Sequence, residues 1–234
     1  MSNGSFISRN KYIIGSVFAL SIIGFLVYKI FASGKAKLKN PNPKKILFVG
    51  DSISAIKDSR GNSITSTYPN YVKSEMAKNN ISVDVLAKGG EPTSWMLQNL
   101  PTMLQNKYDR VYIYGGVNDA WNSSIKPNVP LENVQKMVDM INQSGADAYV
   151  IIGYEPYGFM DYTKMPVTRY QNDKTDNIPL IKEYANYQVQ LPKVIKNATF
   201  IPKINLGNRT GDGIHPNGEG QKMIAQTINK TIIN

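Results

Sequence analysis

From residue 45 onward, short runs of consecutive apolar residues alternate with longer segments in which apolar positions recur every three or four residues. The runs 45–49, 81–86, 110–114, 148–152 and 199–201 predict five strands, because unbroken apolar stretches suit strands buried on both faces. Helical spacing appears over 67–78, 93–105, 131–143, 180–191 and 218–232. This alternation predicts an α/β domain over 45–234, a three-layer α/β/α sandwich around a mainly parallel five-stranded sheet.

The pattern changes before residue 45. Tyr12 to Tyr28 is seventeen residues without a charge, and the snorkelling stem of Lys29 extends the apolar span to 12–32. About 20 residues of helix cover the ~30 Å of a bilayer core, so 12–32 is read as one N-terminal transmembrane anchor behind a short tail, 1–11. A cleaved signal peptide is the competing reading, with Gly34-Lys35-Ala36 as a weak cleavage site. The polar stretch 33–44, with prolines at 41 and 43, reads as a basic tether. The side of the membrane stays open, because lysines after the span and an export-like N-terminus point in opposite directions.

Charge supports that division. The chain carries a formal +10, yet eight of its 27 basic residues and none of its 17 acids lie in 1–45. The remainder is therefore only +2. A basic excess flanking an apolar segment favours anionic lipid headgroups as a partner and argues against nucleic acid. With no cysteine and one histidine, thiolate chemistry and multi-histidine metal sites are excluded, and neither a metal nor another cofactor is expected. Oligomeric state is not legible.

Candidate chemistry begins where the first predicted strand ends, at Gly50-Asp51-Ser52. Open parallel sheets place ligands at the carboxyl ends of their strands, which makes Ser52 a candidate nucleophile. A serine hydroxyl needs a base, and the one imidazole in the chain is His215, with Asp212 three residues ahead to orient it. Lys88-Gly89-Gly90-Glu91 follows the second strand and Gly115-Gly116-Val117-Asn118-Asp119 the third. The Ser52 and Gly90 backbone N–H groups and the Asn118 side-chain amide can then converge as uncharged donors to an oxyanion. Tyr154 and Tyr157 open a long aromatic stretch, 154–177, and are candidate groove residues.

Gly50-Asp51-Ser52, Gly90, Gly116-Val117-Asn118-Asp119 and Asp212-Gly213-Ile214-His215 resemble, in order, the four blocks of the SGNH or GDSL hydrolases. The resemblance covers about 45–232 and implies a flavodoxin-like sheet. It implies a Ser52–His215–Asp212 triad and an oxyanion hole of Ser52, Gly90 and Asn118. Gly89 is an alternative donor, since the glycine block has two adjacent glycines and lacks the asparagine often found upstream. Ile53 stands where the family name has leucine.

The expected activity is a membrane-anchored serine esterase acting on acyl esters of glycan or lipid, with short-chain or O-acetyl carbohydrate esters favoured. A lipase, lysophospholipase or O-acyltransferase on the same triad is one alternative. A non-catalytic structural or binding module of a membrane-containing particle is the other. No Gly-x-Ser-x-Gly elbow and no phosphate-binding glycine fingerprint follows strand one, which sets aside the α/β-hydrolase and nucleotide-binding folds.

Overall fold

A run such as Lys-Ile-Leu-Phe-Val-Gly, apolar at consecutive positions, can bury both faces only in the middle of a sheet, and β1 (Lys45–Gly50) does so. A computed structural model describes residues 39–122, 124–154, 178–210 and 214–233. The anchor segment 12–32, Tyr157 and Asp212 lie outside the described residues. Among the described residues, no helix is long and apolar enough to cross a membrane.

The remaining strands are β2 (Ser82–Ala87), β3 (Arg110–Tyr114), β4 (Asp147–Ile151) and β5 (Thr199–Ile201). All neighbouring pairs are parallel, in the order β2-β1-β3-β4-β5. Every residue of β3 and β4 is buried, whereas edge strand β2 is half-exposed along most of its length. The helices are α1 (Tyr68–Ala77), α2 (Thr93–Leu104), α3 (Val117–Ala120), α4 (Val129–Gln143), α5 (Ile178–Val194) and α6 (Gly218–Ile233).

Right-handed crossovers decide the layers. The chain moves one way from β1 to β2 and the other way from β2 to β3, which puts α1 and α2 on opposite faces. Helix α6 returns to pack beside α1, and α4 packs beside α2. On the α6 face, Phe48, Tyr112 and Tyr149 stand in register across β1, β3 and β4, with ring centroids 5.2 and 4.6 Å apart. Tyr68 of α1 closes this ladder edge-on against Phe48 at 5.3 Å. Such pairs each add about 0.5–1.5 kcal/mol beyond their buried area.

The predicted strands and long helices are present, with ends displaced by at most three residues. The four-residue helix α3 was not foreseen, being too short to show a period. The greater difference lies in the stretch expected to be tether, because 39–44 is docked on the amino-terminal edge of the sheet. Asp147 accepts the backbone N–H groups of Lys39 (3.0 Å) and Asn40 (3.2 Å). Asp109 accepts those of Lys44 (2.6 Å) and Lys45 (2.9 Å). Fully buried Arg110 donates to the Asn40 and Pro41 carbonyls at 3.0 and 3.1 Å, and to the Thr231 carbonyl of α6 at 2.7 Å. Those carboxylates and the guanidinium give six residues a fixed path that local composition did not disclose.

Candidate active site

The chain reverses the sheet order between β1 and β3, and that switch point is where open α/β sheets hold ligands. Ser52 sits there, in a turn closed by Ser54 N–H donating to the Asp51 carbonyl at 3.1 Å. The Asp51 carboxylate accepts the Ile53 N–H at 3.0 Å, which shapes the turn from within. From α1, Tyr68 pairs its hydroxyl with that of Ser54 at 2.7 Å. From α6, Gln221 accepts the Tyr68 N–H at 2.8 Å and donates to the Ile53 carbonyl at 3.4 Å. The turn is thereby tied to the helix that follows the histidine.

His215 stands three residues before that helix. Asn217 caps α6, its side-chain oxygen accepting the N–H groups of Glu219 and Gly220 at 3.1 and 3.0 Å. Thr210 and Pro216 pair across an antiparallel bridge that draws the two ends of the loop together. These restraints deliver the imidazole to the serine over 163 residues of sequence: Ser52 Oγ and His215 Nε2 are hydrogen-bonded at 2.9 Å.

Beside Ser52 the two glycine-bearing turns meet. Gly90 has φ +79° and Gly116 φ +108°, a left-handed backbone that favours glycine. A side chain at Gly116 would also meet the Tyr187 ring at 2.4 Å. The Asn118 amide donates to the Glu91 carbonyl at 3.0 Å, which brings the asparagine against the glycine block. Asp119 accepts both the backbone N–H (2.9 Å) and hydroxyl (2.6 Å) of Thr93, and Asn133 donates to the same hydroxyl at 3.0 Å. The acid of Gly-x-Asn-Asp therefore locks one turn to the start of α2.

Two carboxyl groups beneath the site are perturbed. Burial pushes Asp51 up to about 7, opposed by the Ile53 N–H and by the charge of His215. Burial also raises Asp119, against the lowering effect of its Thr93 bonds.

The structure brings together Ser52, His215, the glycine turn and Asn118. Asp212 and Tyr157 are outside the described residues. Tyr154 corrects an expectation: it is 2% exposed and its hydroxyl donates to the Ile214 carbonyl, so it supports the histidine loop from below and does not line a groove. Sequence reading also missed Gln221 and the buried carboxyl of Asp51. A glutamine three residues into a helix carries no signal, and an aspartate in a turn normally reads as exposed.

A serine bonded to an imidazole at the carboxyl edge of an open parallel sheet defines an α/β serine hydrolase. Residues 48–223 match the GDSL-like Lipase/Acylhydrolase family, and the chain belongs to it, an enzyme family acting on esters. Among solved structures, the lipase/acylhydrolase from Enterococcus faecalis is 21% identical, with TM-score 0.57, covering 81% of this chain and 95% of its own. An acetylxylan esterase, Axe2, from Geobacillus stearothermophilus is 15% identical, with TM-score 0.59, covering 82% and 94%. TesA is 20% identical, with TM-score 0.54, covering 80% and 97%. At these identities the likeness is one of fold. No curated protein sequence matches at a significant level.

Proposed function

We propose that this protein is a membrane-anchored serine esterase that cleaves acyl esters by two-step acyl transfer. The observation that carries the reading is the 2.9 Å hydrogen bond from Ser52 Oγ to His215 Nε2 at the switch point. In the first step, Nε2 takes the Ser52 proton and Oγ attacks the acyl carbon, whose carbonyl π electrons move onto oxygen. The Ser52 and Gly90 backbone N–H groups and the Asn118 amide stabilise that oxyanion, each donor supplying ~3 kcal/mol by analogy with other oxyanion holes. Asn118 has two amide hydrogens, so its bond to Glu91 leaves one for the substrate. His215 then protonates the departing alcohol as its C–O bond breaks. In the second step, His215 deprotonates water, the hydroxide attacks the acyl-enzyme, and Oγ leaves with the proton. Asp212 is assigned to hold the imidazole in the tautomer with a free Nε2 lone pair.

The substrate reading is an acylated carbohydrate, O-acetyl or another short acyl ester. Support comes from the acetylxylan esterase among the structural relatives and from segment 12–32, which would hold the enzyme at a membrane bearing such glycans. The test is labelling of the full chain with a serine-directed phosphonate, followed by assay on acetylated glycans and lysolipids. Ser52 is expected to be labelled, and Ser52→Ala and His215→Ala to lose both labelling and hydrolysis while keeping the wild-type circular dichroism. A wild-type chain that leaves the probe unreacted at Ser52 would refute the assignment.

A further inference from the structure

A cleft of about 660 Å³ opens directly beside Ser52. Its walls come from three places: the carboxyl end of edge strand β2, the start of α2, and a hairpin of residues 56–64. That hairpin is a built element, with Lys57 and Ser63 paired antiparallel and Ile64 N–H donating to the Ile56 carbonyl at 2.9 Å.

Much of the lining is apolar: Ala55, Ile64, Val85, Leu86, Ala87 and Trp95. Two of the three charged residues in the lining, Asp58 and Lys88, are already engaged; the third is Lys57. Asp58 accepts the N–H groups of Arg60 and Asn62 on one oxygen, at 2.9 and 2.8 Å, and the Asn62 side-chain amide on the other at 2.9 Å. Lys88 pairs with Glu91 at 2.6 Å and lies 5.9 Å from the centre of the Trp95 ring. Sugar hydroxyls entering this cleft would find Asp58 and Lys88 committed to other partners, whereas an aliphatic chain would meet apolar surface that gains by leaving water.

Position identifies which half of the substrate the cleft receives. The departing alcohol must emerge next to His215 Nε2, which is hydrogen-bonded to Ser52 Oγ. The cleft leaves Ser52 on the β2 side, along Gly89 of the turn that carries the oxyanion donor, and His215 is not among its lining residues. Hence we infer that the cleft is the acyl site and that the enzyme prefers a saturated aliphatic acyl chain longer than acetyl. The inference rests on Ser52 being the nucleophile and narrows the acyl groups left open above.

The test is a series of p-nitrophenyl acetate, butyrate, hexanoate and octanoate, all monomeric in solution, on the full chain held soluble by an amphipol. Phosphonate labelling of Ser52 runs alongside. A fully buried methylene raises kcat/KM about fourfold, equivalent to about 0.8 kcal/mol. Four added methylenes should therefore raise it by about 16-fold if half buried and about 250-fold if fully buried, from acetate to hexanoate. Leu86→Gln is expected to reduce the hexanoate-to-acetate ratio several-fold, a quantity that loss of folded protein leaves unchanged. Labelled enzyme that is fastest on acetate, or a ratio that Leu86→Gln leaves intact, overturns the acyl assignment alone. Absence of both labelling and hydrolysis overturns the catalytic reading on which it rests.

Discussion

Replacing Arg110 with methionine tests whether the base of the sheet is held by one buried cation. The guanidinium is fully buried and donates to two pairs of carbonyls: Thr231 and Ile232 at the end of α6 (2.7 and 3.4 Å), and Asn40 and Pro41 in the docked segment (3.0 and 3.1 Å). Asn40 is half-exposed and Pro41 exposed, so water can replace the guanidinium there. Ile232 is buried and Thr231 half-buried, and each α6 carbonyl left unpaired costs about 1–3 kcal/mol. Part of that is offset, since Arg110 Nε has no hydrogen-bond partner and its desolvation is recovered on substitution. A net loss of about 3 kcal/mol follows, which for a domain of this size lowers Tm by roughly 6–12 °C. The measurement is thermal unfolding of the full chain by circular dichroism, with ester hydrolysis assayed well below the transition. Activity should persist, because five strand residues at ~3.3 Å each put Arg110 about 17 Å from the site. Arg110→Lys should also destabilise, since one ammonium cannot span both carbonyl pairs. A Tm unchanged or raised in the methionine variant would refute the reasoning, showing that desolvation outweighs the four bonds.

Three further outcomes follow from the site. Asp51, raised by burial to about 7, binds a proton in the folded chain at pH values where the unfolded chain has released it, so its contribution to stability falls as pH rises from about 4 to about 7. Asp51→Asn should shrink the drop in urea midpoint between pH 5 and pH 8, and an unchanged drop would contradict a raised carboxyl. Tyr154→Phe removes the hydroxyl bond to the Ile214 carbonyl; stability should fall by about 1 kcal/mol and kcat by several-fold with KM little changed, as read from steady-state kinetics. Gly116→Ala forces a Cβ to within 2.4 Å of the Tyr187 ring at φ +108°, with an expected cost of about 1–3 kcal/mol and a matching loss of activity through Asn118, both measurable in one denaturant titration with residual-rate readings.

Much of the fold was legible because strand and helix signals are local. The apolar run of β1, the fully apolar core of β3 and the spacing of α6 each follow from neighbours within a few positions. The pairing of Ser52 with His215 was legible for a different reason: the chain has a single imidazole, and both residues flank predicted element ends. Asn118 announced itself through its glycine-led turn.

What tertiary structure decided were features whose partners lie far away in sequence. Arg110 opens β3 as if exposed, and only the arrival of α6 and residues 40–41 makes its burial tolerable. Tyr154 headed an aromatic stretch suited to a groove, yet the His215 loop folds over it and claims its hydroxyl. Asp51 became a buried, proton-holding carboxyl because α1, α6 and the sheet close around a turn that composition alone would leave in water. Local pattern sets which backbone each segment adopts, whereas burial and hydrogen-bond partnership depend on which distant segments the strand order places alongside it.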